Sequence, residues 1–454
     1  MSLGAWLDDR LGTRSLAAGF FYRRIPRAVG WPHTLGSATL FLLLVQTVTG
    51  IFLAFYYVPS VEHAYGSVQY ITEQVPFGAY VRGLHRWSAS LVVIFAVLHL
   101  VRVFFMGAYK YPRETSWVVG VLLLGIIFAF GFTGYLLPWD QKAYWATVVG
   151  THIAEWAPGV GDVAARLLRG GPEVGIRTLG RFFAFHVLFL PTFLWLLVAV
   201  HLFMVIRQGI APPPVGRLAV IRPEEYRDRY EESKAEGASF LEHLTRDGVV
   251  ALVLLLIASW LALRYGAPLE EIADATTTTY VPRPEWYFYF LFELLWVFPG
   301  RWTVLPAFWI PVLGFLALLL LRFLDRGPAR SPLRRPVASL AATAVLVGVV
   351  FLTYKGATAP AGRAPVARAI LSPELQKGRE VFEAQGCGAC HTVAGEGGAS
   401  GPDLSSIGSL RDAAWLGRFV RDPEAVKPGS AMPDSKELGE EDLSALVGYL
   451  SSVK

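Results

Sequence analysis

The sequence predicts an all-α membrane protein, in which a polytopic bundle of about seven transmembrane helices precedes a small α-helical domain. Three observations predict this fold class. Hydrophobic residues make up 54% of the 454 residues, and seven stretches without a charged side chain are long enough, or nearly so, to cross a bilayer. The C-terminal part of the chain is polar by contrast. The seven stretches are residues 34–57, 87–101, 115–137, 182–206, 248–263, 302–321 and 336–354.

These stretches predict four parts in chain order. Residues 1–210 hold four helices, and residues 211–354 hold three. The two shortest stretches gain length if flanking arginines extend their charged ends towards the interface. An Ala/Pro/Gly-rich segment at 355–371 has the composition of a linker, and residues 372–454 form the polar domain.

The distribution of charge predicts the orientation. With a cytoplasmic N-terminus, the cytoplasmic connections hold 20 Lys and Arg and the opposite ones hold 10, so the C-terminal domain is expected on the outer face of a bacterial cell membrane. The first 33 residues carry seven charged side chains and no signal-peptide pattern. Residues 371–454 hold 8 Lys and Arg against 13 Asp and Glu, so the preceding part carries +10 of a whole-chain net charge of +5. That excess suits anionic lipid, and no nucleic-acid partner is expected.

Two pairs of histidines lie within two of the predicted spans. His85 and His99 are 14 residues apart, and His186 and His201 are 15 apart. Either spacing returns a helical side chain to roughly the same face, about 21 Å further along the axis. Imidazole is an axial ligand of haem iron, so each helix would offer one ligand in each half of the bilayer. The alternative is that these histidines are hydrogen-bonded polar residues packed in a bundle, but two matched pairs favour haem ligands. A kink at Pro191 is expected to absorb the extra residue of the second spacing.

The polar domain contains a motif for covalent haem. Cys387, Cys390 and His391 form a Cys-x-x-Cys-His sequence, in which two thiols bind the haem vinyl groups and the histidine binds the iron. A zinc site or a disulfide would need further ligands or another motif, and Cys387 and Cys390 are the only two cysteines in the chain. Met432 lies beyond the motif among prolines and is the expected sixth ligand; filling the domain core is its alternative role.

Four glycines repeat the histidine interval. Gly36 and Gly50 are 14 residues apart in the first span, and Gly120 and Gly134 are 14 apart in the third. A flat macrocycle can press on a helix only where no side chain intervenes. The alternative is ordinary packing of small residues between membrane helices. The shared interval favours contact with two haems.

The membrane part contains five further motifs: VQTVTG (45–50), HRWSAS (85–90), PRETSWVVG (112–120), TGYLLPWDQ (133–141) and PEWY (284–287). Through these motifs it resembles cytochrome b of the bc and b6f complexes over about residues 10–325. PWDQ and the 15-residue histidine spacing are typical of the b6f subtype, in which the four-helix and three-helix parts are usually separate chains. The polar domain resembles class I cytochrome c through Gly378, Phe382, Gly401-Pro402 and Tyr449.

The second and fourth helices run in the same direction, so their first histidines are expected to meet. His85 and His186 would hold an outer haem b, and His99 and His201 an inner one. Arginines near the span ends would meet haem propionates, with anchoring to lipid as their alternative role. These are Arg82, Arg86 and Arg113.

The resemblance also implies a quinol-oxidation site at PEWY. Glu285 would accept a proton from quinol, and Trp286 and Tyr287 would shape the pocket. The alternative is a carboxylate that only caps a helix. The b6f subtype attaches an extra haem through a cysteine, at a position where this chain has Thr34, and it has an arginine where this chain has Ile206. A covalent extra haem is therefore not expected.

Together these features predict the cytochrome b and cytochrome c subunit of a quinol:cytochrome c oxidoreductase working by a Q-cycle. The expected cofactors are two b haems and one covalent c haem, with quinol and quinone as substrates. The expected partners are a Rieske [2Fe–2S] subunit, the membrane quinone pool, a cytochrome c or other downstream acceptor, and a second copy of the complex. A transmembrane NAD(P)H reductase would need a G-x-G-x-x-G turn after a strand, which is not seen here. PEWY and PWDQ argue against a passive electron conduit or sensor.

Overall fold

The computed structural model describes most of the chain, and its contacts divide the chain into two compact units. The first comprises Met1–Asp140, Leu179–Ile272 and Leu313–Val350; the second comprises Gln141–Thr178, Ala273–Val312 and Phe351–Lys454. The described residues are 2–12, 19, 21–235, 237–275, 277, 280, 283–298, 300–359, 373–393, 396–398, 400–430 and 432–453.

Seven helices of the described chain are long and apolar enough to cross a membrane, which confirms the predicted all-α membrane bundle. Several extend beyond the uncharged stretches, because charged residues continue the helices at their ends. In chain order, the spans are Trp31–Ala54, Gly78–Phe105, Glu114–Tyr135, Ile176–Gln208, Phe240–Tyr265, Gly300–Leu319 and Pro336–Thr358.

The remaining elements are short. The other α-helices are Leu3–Leu11, Ala64–Glu73, Gln141–Glu155, Gly161–Arg169, Tyr226–Ala235, Tyr289–Val297, Leu321–Leu324, Pro373–Ala384, Ile407–Leu410, Ala413–Arg421, Pro423–Val426 and Glu440–Ser452. Two-residue strands at Thr392–Val393 and Glu396–Gly397 pair antiparallel. Single helical turns outside the spans occur at Gly216–Ala219, Pro223–Glu225, Trp286–Phe288, Pro332–Arg334 and Cys387–Ala389.

In the first unit, the second span packs against both the first and the fifth, and the third packs against the fourth. Small residues set the closest approach. A Cβ on Gly83 would lie 3.1 Å from the Ala262 backbone, and Ala258 and Ala262 are buried against Leu84. Such close backbone contact is typical of helices packed within a membrane.

The fourth span changes its winding at a histidine. Residues Phe185–Phe189 form a π-helical turn that contains His186 and ends just before Leu190 and Pro191. A π turn inserts one extra residue into a helix. The turn therefore accommodates the 15-residue spacing, where the sequence predicted a proline kink.

The cytochrome c-like domain is built on two crossing helices of the second unit. A Cβ on Gly378 of Pro373–Ala384 would overlap the Ala445 carbonyl of Glu440–Ser452, so glycine is required at this crossing. The rings of Phe382 and Tyr449 lie 5.8 Å apart at the same contact. The buried core comprises Phe382, Leu416, Val420, Leu443, Leu446, Tyr449 and Leu450.

The predicted linker at 355–371 begins later than expected. The seventh span continues as helix to Thr358, because Lys355 to Thr358 contain no helix-breaking proline. Residues 360–371 of the predicted linker lie outside the described residues.

Candidate haem and quinol sites

The structure brings His85 and His186 together in the first unit. Their ring centroids lie 6.5 Å apart and their planes are inclined by 71°. Two metal–imidazole bonds of about 2 Å each, with the distance from each nitrogen to its ring centre, give a separation of about 6 to 7 Å. The two rings are therefore spaced as the axial ligands of one iron would be.

Both rings of this outer pair are oriented by threonines. Thr49 Oγ1 lies 2.8 Å from His85 Nδ1, and Thr133 Oγ1 lies 3.1 Å from His186 Nδ1. Each hydroxyl also donates to a carbonyl one turn earlier in its own helix, of Val45 or of Ala129. With Nδ1 engaged by the threonine, Nε2 of each ring is the nitrogen left for iron.

Each of the four glycines faces one histidine. A Cβ on Gly36 would lie 3.0 Å from His99 Cε1, and one on Gly50 would lie 3.3 Å from His85 Cε1. The corresponding distances are 3.5 Å from Gly120 to His201 and 2.5 Å from Gly134 to His186. The glycines thus leave room for the imidazole edges, whereas their contact with the haem macrocycle stays a prediction.

The inner pair, His99 and His201, differs in its hydrogen bonding. Nδ1 of each ring is buried without a hydrogen-bond partner among the described residues. Arg102 lies one helical turn beyond His99, and its Nε is also buried, with no partner from the residues that the structure describes. An unpaired buried guanidinium donor fits an anionic haem propionate, so Arg102 could hold one there.

The three arginines named from sequence contact main-chain or aromatic groups. Arg82 donates to the carbonyls of Ala267 and Pro268, at 2.6 and 3.1 Å. Arg113 donates to the carbonyls of Gln208 and Gly209, which end the fourth span. Arg86 lies over the ring of Trp87. Contact of these arginines with haem propionates stays a prediction.

The PEWY motif forms the start of a helix in the second unit. Glu285 precedes the turn Trp286–Phe288, but its carboxylate makes no capping hydrogen bond. Instead, Lys142 Nζ donates to Glu285 Oε1 at 3.1 Å, and the two side chains are 25% and 17% exposed. The rings of Trp286 and Tyr287 lie 5.5 Å apart, and Tyr287 is buried. A largely buried carboxylate that immediately precedes two aromatic residues can accept a proton from a bound hydroxyl.

The Cys-x-x-Cys-His motif forms a single helical turn at Cys387–Ala389. His391 is buried, and its Nδ1 lies 2.8 Å from the Pro402 carbonyl, which leaves Nε2 for a metal. A Cβ on Gly401 would lie 2.7 Å from His391 Nδ1, so this glycine clears the ring. Burial raises the pKa of the Cys387 thiol. These residues fit a covalently attached haem.

Met432 packs against the core of the cytochrome c-like domain and is partly buried. Its contact with the core agrees with the alternative role considered from sequence. Its role as the sixth ligand of the iron stays a prediction.

Four residues with a place in these sites were not identified from sequence: Thr49, Thr133, Arg102 and Lys142. Each had a local signal. The two threonines immediately precede Gly50 and Gly134, Arg102 lies three residues after His99, and Lys142 follows PWDQ directly.

Comparisons with known proteins cover both units. Residues 22–209 match the family model described as cytochrome b/b6/petB, and residues 272–372 match cytochrome b(C-terminal)/b6/petD. Residues 375–454 match the cytochrome c family.

Proteins with similar sequences are described as cytochrome b subunits as well. The chain is 47% identical over 216 residues to the menaquinol:cytochrome c reductase cytochrome b subunit of Geobacillus thermodenitrificans, covering 46% of this chain and 96% of that one. It is 33% identical over 362 residues to a cytochrome bc complex cytochrome b subunit of Chlorobaculum thiosulfatiphilum, covering 78% and 80%. A solved structure titled hyperthermophilic respiratory Complex III has a TM-score of 0.68 and 27% identity, covering 81% of this chain and 95% of that chain.

Proposed function

The chain belongs to the family of cytochrome b subunits of bc-type quinol:cytochrome c oxidoreductases, and from this premise we propose the following reaction. Quinol is oxidised beside Glu285 on the outer face of a bacterial cell membrane. One electron passes through a Rieske [2Fe–2S] partner to the domain that carries His391. The other crosses the membrane to reduce a quinone on the cytoplasmic side, as in a Q-cycle that contributes to a proton gradient.

The observation that carries this proposal is the match between four histidines and four glycines. We propose that His85 and His186 hold the outer b haem and that His99 and His201 hold the inner one. The 6.5 Å spacing of the outer rings and the glycine clearance at all four positions support this assignment. When bound, the two b haems and the c haem supply the one-electron transfers that amino-acid side chains do not support.

At the proposed quinol site, the side chains of this chain accept the proton and position the acceptor. The Glu285 carboxylate would take the proton from the quinol hydroxyl, while Trp286 and Tyr287 exclude water and hold the ring. Lys142 holds the carboxylate at 3.1 Å and so fixes its position in the absence of a capping bond. A positioned side chain that transfers a proton in the transition state typically contributes about 10²- to 10⁴-fold to the rate.

The other partners follow from the same proposal. The chain's two cysteines belong to the haem c motif, so the [2Fe–2S] cluster would lie on a separate Rieske subunit. We propose that the complex works as a homodimer and passes electrons to a cytochrome c or another downstream acceptor.

The haem content of the purified complex tests the proposal. Two b haems and one c haem per chain are expected from a pyridine haemochrome assay. Haem-staining gels should place the c haem on this chain, and a Cys387→Ser, Cys390→Ser variant should lose that stain and retain both b haems. A b-to-c ratio of one to one would contradict the assignment of two histidine pairs.

A further inference from the structure

The two proposed haem sites differ in the group that meets Nδ1 of the ligands. In the outer site, Nδ1 of His85 and of His186 each meets a threonine hydroxyl, at 2.8 and 3.1 Å. In the inner site, Nδ1 of His99 and of His201 is buried and has no hydrogen-bond partner within the described part of the chain. The Ser116 carbonyl lies close to His201 without meeting hydrogen-bond geometry.

The sequence repeat explains the difference. Thr49 precedes Gly50 and Thr133 precedes Gly134, at the level of the outer site. Fourteen residues earlier on the same helices, Leu35 precedes Gly36 and Val119 precedes Gly120. Both haem sites therefore have a glycine on each of these helices, but only at the outer site does a threonine precede it.

The threonines act as acceptors in this arrangement. Each hydroxyl gives its hydrogen to a carbonyl of its own helix, at 2.7 Å for Thr49 and 2.8 Å for Thr133, which leaves an oxygen lone pair for the ring. When iron takes Nε2, Nδ1 carries the proton and donates. A hydrogen bond accepted from Nδ1–H makes the imidazole more basic, and a more electron-rich ligand favours ferric iron.

We propose that Thr49 and Thr133 are positioning residues that hold the reduction potential of the outer b haem below that of the inner one. The inference rests on the proposed haem assignment. Both hydrogen bonds act in the same direction on one iron. The difference in potential favours electron movement from the His85–His186 level to the His99–His201 level, as transfer across the membrane requires.

Replacing each threonine by valine tests the inference, because valine keeps the shape and removes the acceptor. In the purified complex, Thr49→Val and Thr133→Val should each raise the reduction constant of the low-potential b haem about tenfold, or 59 mV for one electron. The measurement is a redox titration followed by b-haem absorbance, with haem content checked by pyridine haemochrome. The reduction potential of the high-potential b haem in the same sample should stay unchanged.

Two control variants and one variant of the inner site complete the test. Thr39→Val removes a hydroxyl that donates to the Leu35 carbonyl on the same span, and it should leave both potentials unchanged. Thr49→Ser keeps the hydroxyl and should keep the native potential. Val119→Thr introduces a hydroxyl at the matching position of the inner site and should lower the potential of the inner haem.

The outcomes separate this inference from the haem assignment. Unchanged potentials in both valine variants, at full haem content, would overturn the role of the threonines and leave the assignment standing. If the valine variants moved only the high-potential haem, the assignment of the outer level to the low-potential haem would be wrong. If one valine variant failed to assemble, the other would carry the test, because the two threonines lie on different spans.

Discussion

Replacing Gly134 by alanine is expected to remove the outer b haem. The added Cβ would lie 2.5 Å from Cε1, 3.0 Å from Nδ1 and 3.1 Å from Nε2 of His186. Ordinary carbon–carbon contact begins at about 3.5 Å, so the whole ring must move by about 1 Å. A metal–ligand bond tolerates about 0.2 Å. The displaced ring would also lose its hydrogen bond with Thr133.

The same geometry predicts a graded series. At Gly120 the Cβ would lie 3.5 Å from His201 Cε1, which is ordinary contact, and alanine is favoured over glycine within a helix by about 1 kcal/mol. Gly120→Ala should therefore keep its haem. At Gly36 and Gly50 the added Cβ would lie 3.0 and 3.3 Å from the facing histidine Cε1. Gly36→Ala and Gly50→Ala should therefore lose an amount of haem between those of Gly120→Ala and Gly134→Ala, with overpacking costs towards the lower end of about 1 to 3 kcal/mol.

The assay is the b-haem content of the purified complex, with the c haem of the same chain as the internal reference. Gly134→Ala should reduce the b-to-c ratio from two towards one, whereas Gly120→Ala should leave it at two. Equal haem loss in all four variants would refute the reasoning, because it would mean that the macrocycle alone fills the space at every glycine. Full haem content in Gly134→Ala would also refute it.

The remaining predictions concern the other sites. His201→Leu should abolish the inner b haem and cytoplasmic quinone reduction while haem c stays attached; optical spectra that still show both b haems would overturn the pairing. Met432→Ala should lower the potential of haem c and allow carbon monoxide to bind, because a neutral thioether favours ferrous iron, and an unchanged potential would point to another ligand. Glu285→Gln should keep all three haems but lower quinol turnover by up to 10²- to 10⁴-fold. Unchanged turnover and an unchanged rate profile against pH would mean that Glu285 is structural and that the quinol proton leaves by another route.

Periodicity made much of this architecture predictable from sequence. Uncharged stretches identified the seven spans found among the described residues, because a bilayer excludes charge over a fixed length. The interval shared by histidines and glycines placed Gly50 with His85 and Gly134 with His186 at one level, since every residue of a helix advances it by the same rise. The Cys-x-x-Cys-His motif could be recognised because the residues that would bind the haem lie together in one short segment of the chain.

The contacts between distant segments depended on the tertiary structure. Lys142 and Glu285 are 143 residues apart, and no local pattern indicates that their side chains form an ion pair. Thr49 and Thr133 were hidden within matched motifs, because a threonine in a membrane helix ordinarily bonds its own backbone. The π turn at His186 is a feature of the backbone, and the spacing of the two histidines does not by itself specify it. The sequence by itself therefore determined the spans, the haem-binding motifs and their levels. Packing alone decided which hydroxyl, cation or carboxylate meets each site, because those contacts join helices whose separation and rotation no single segment specifies.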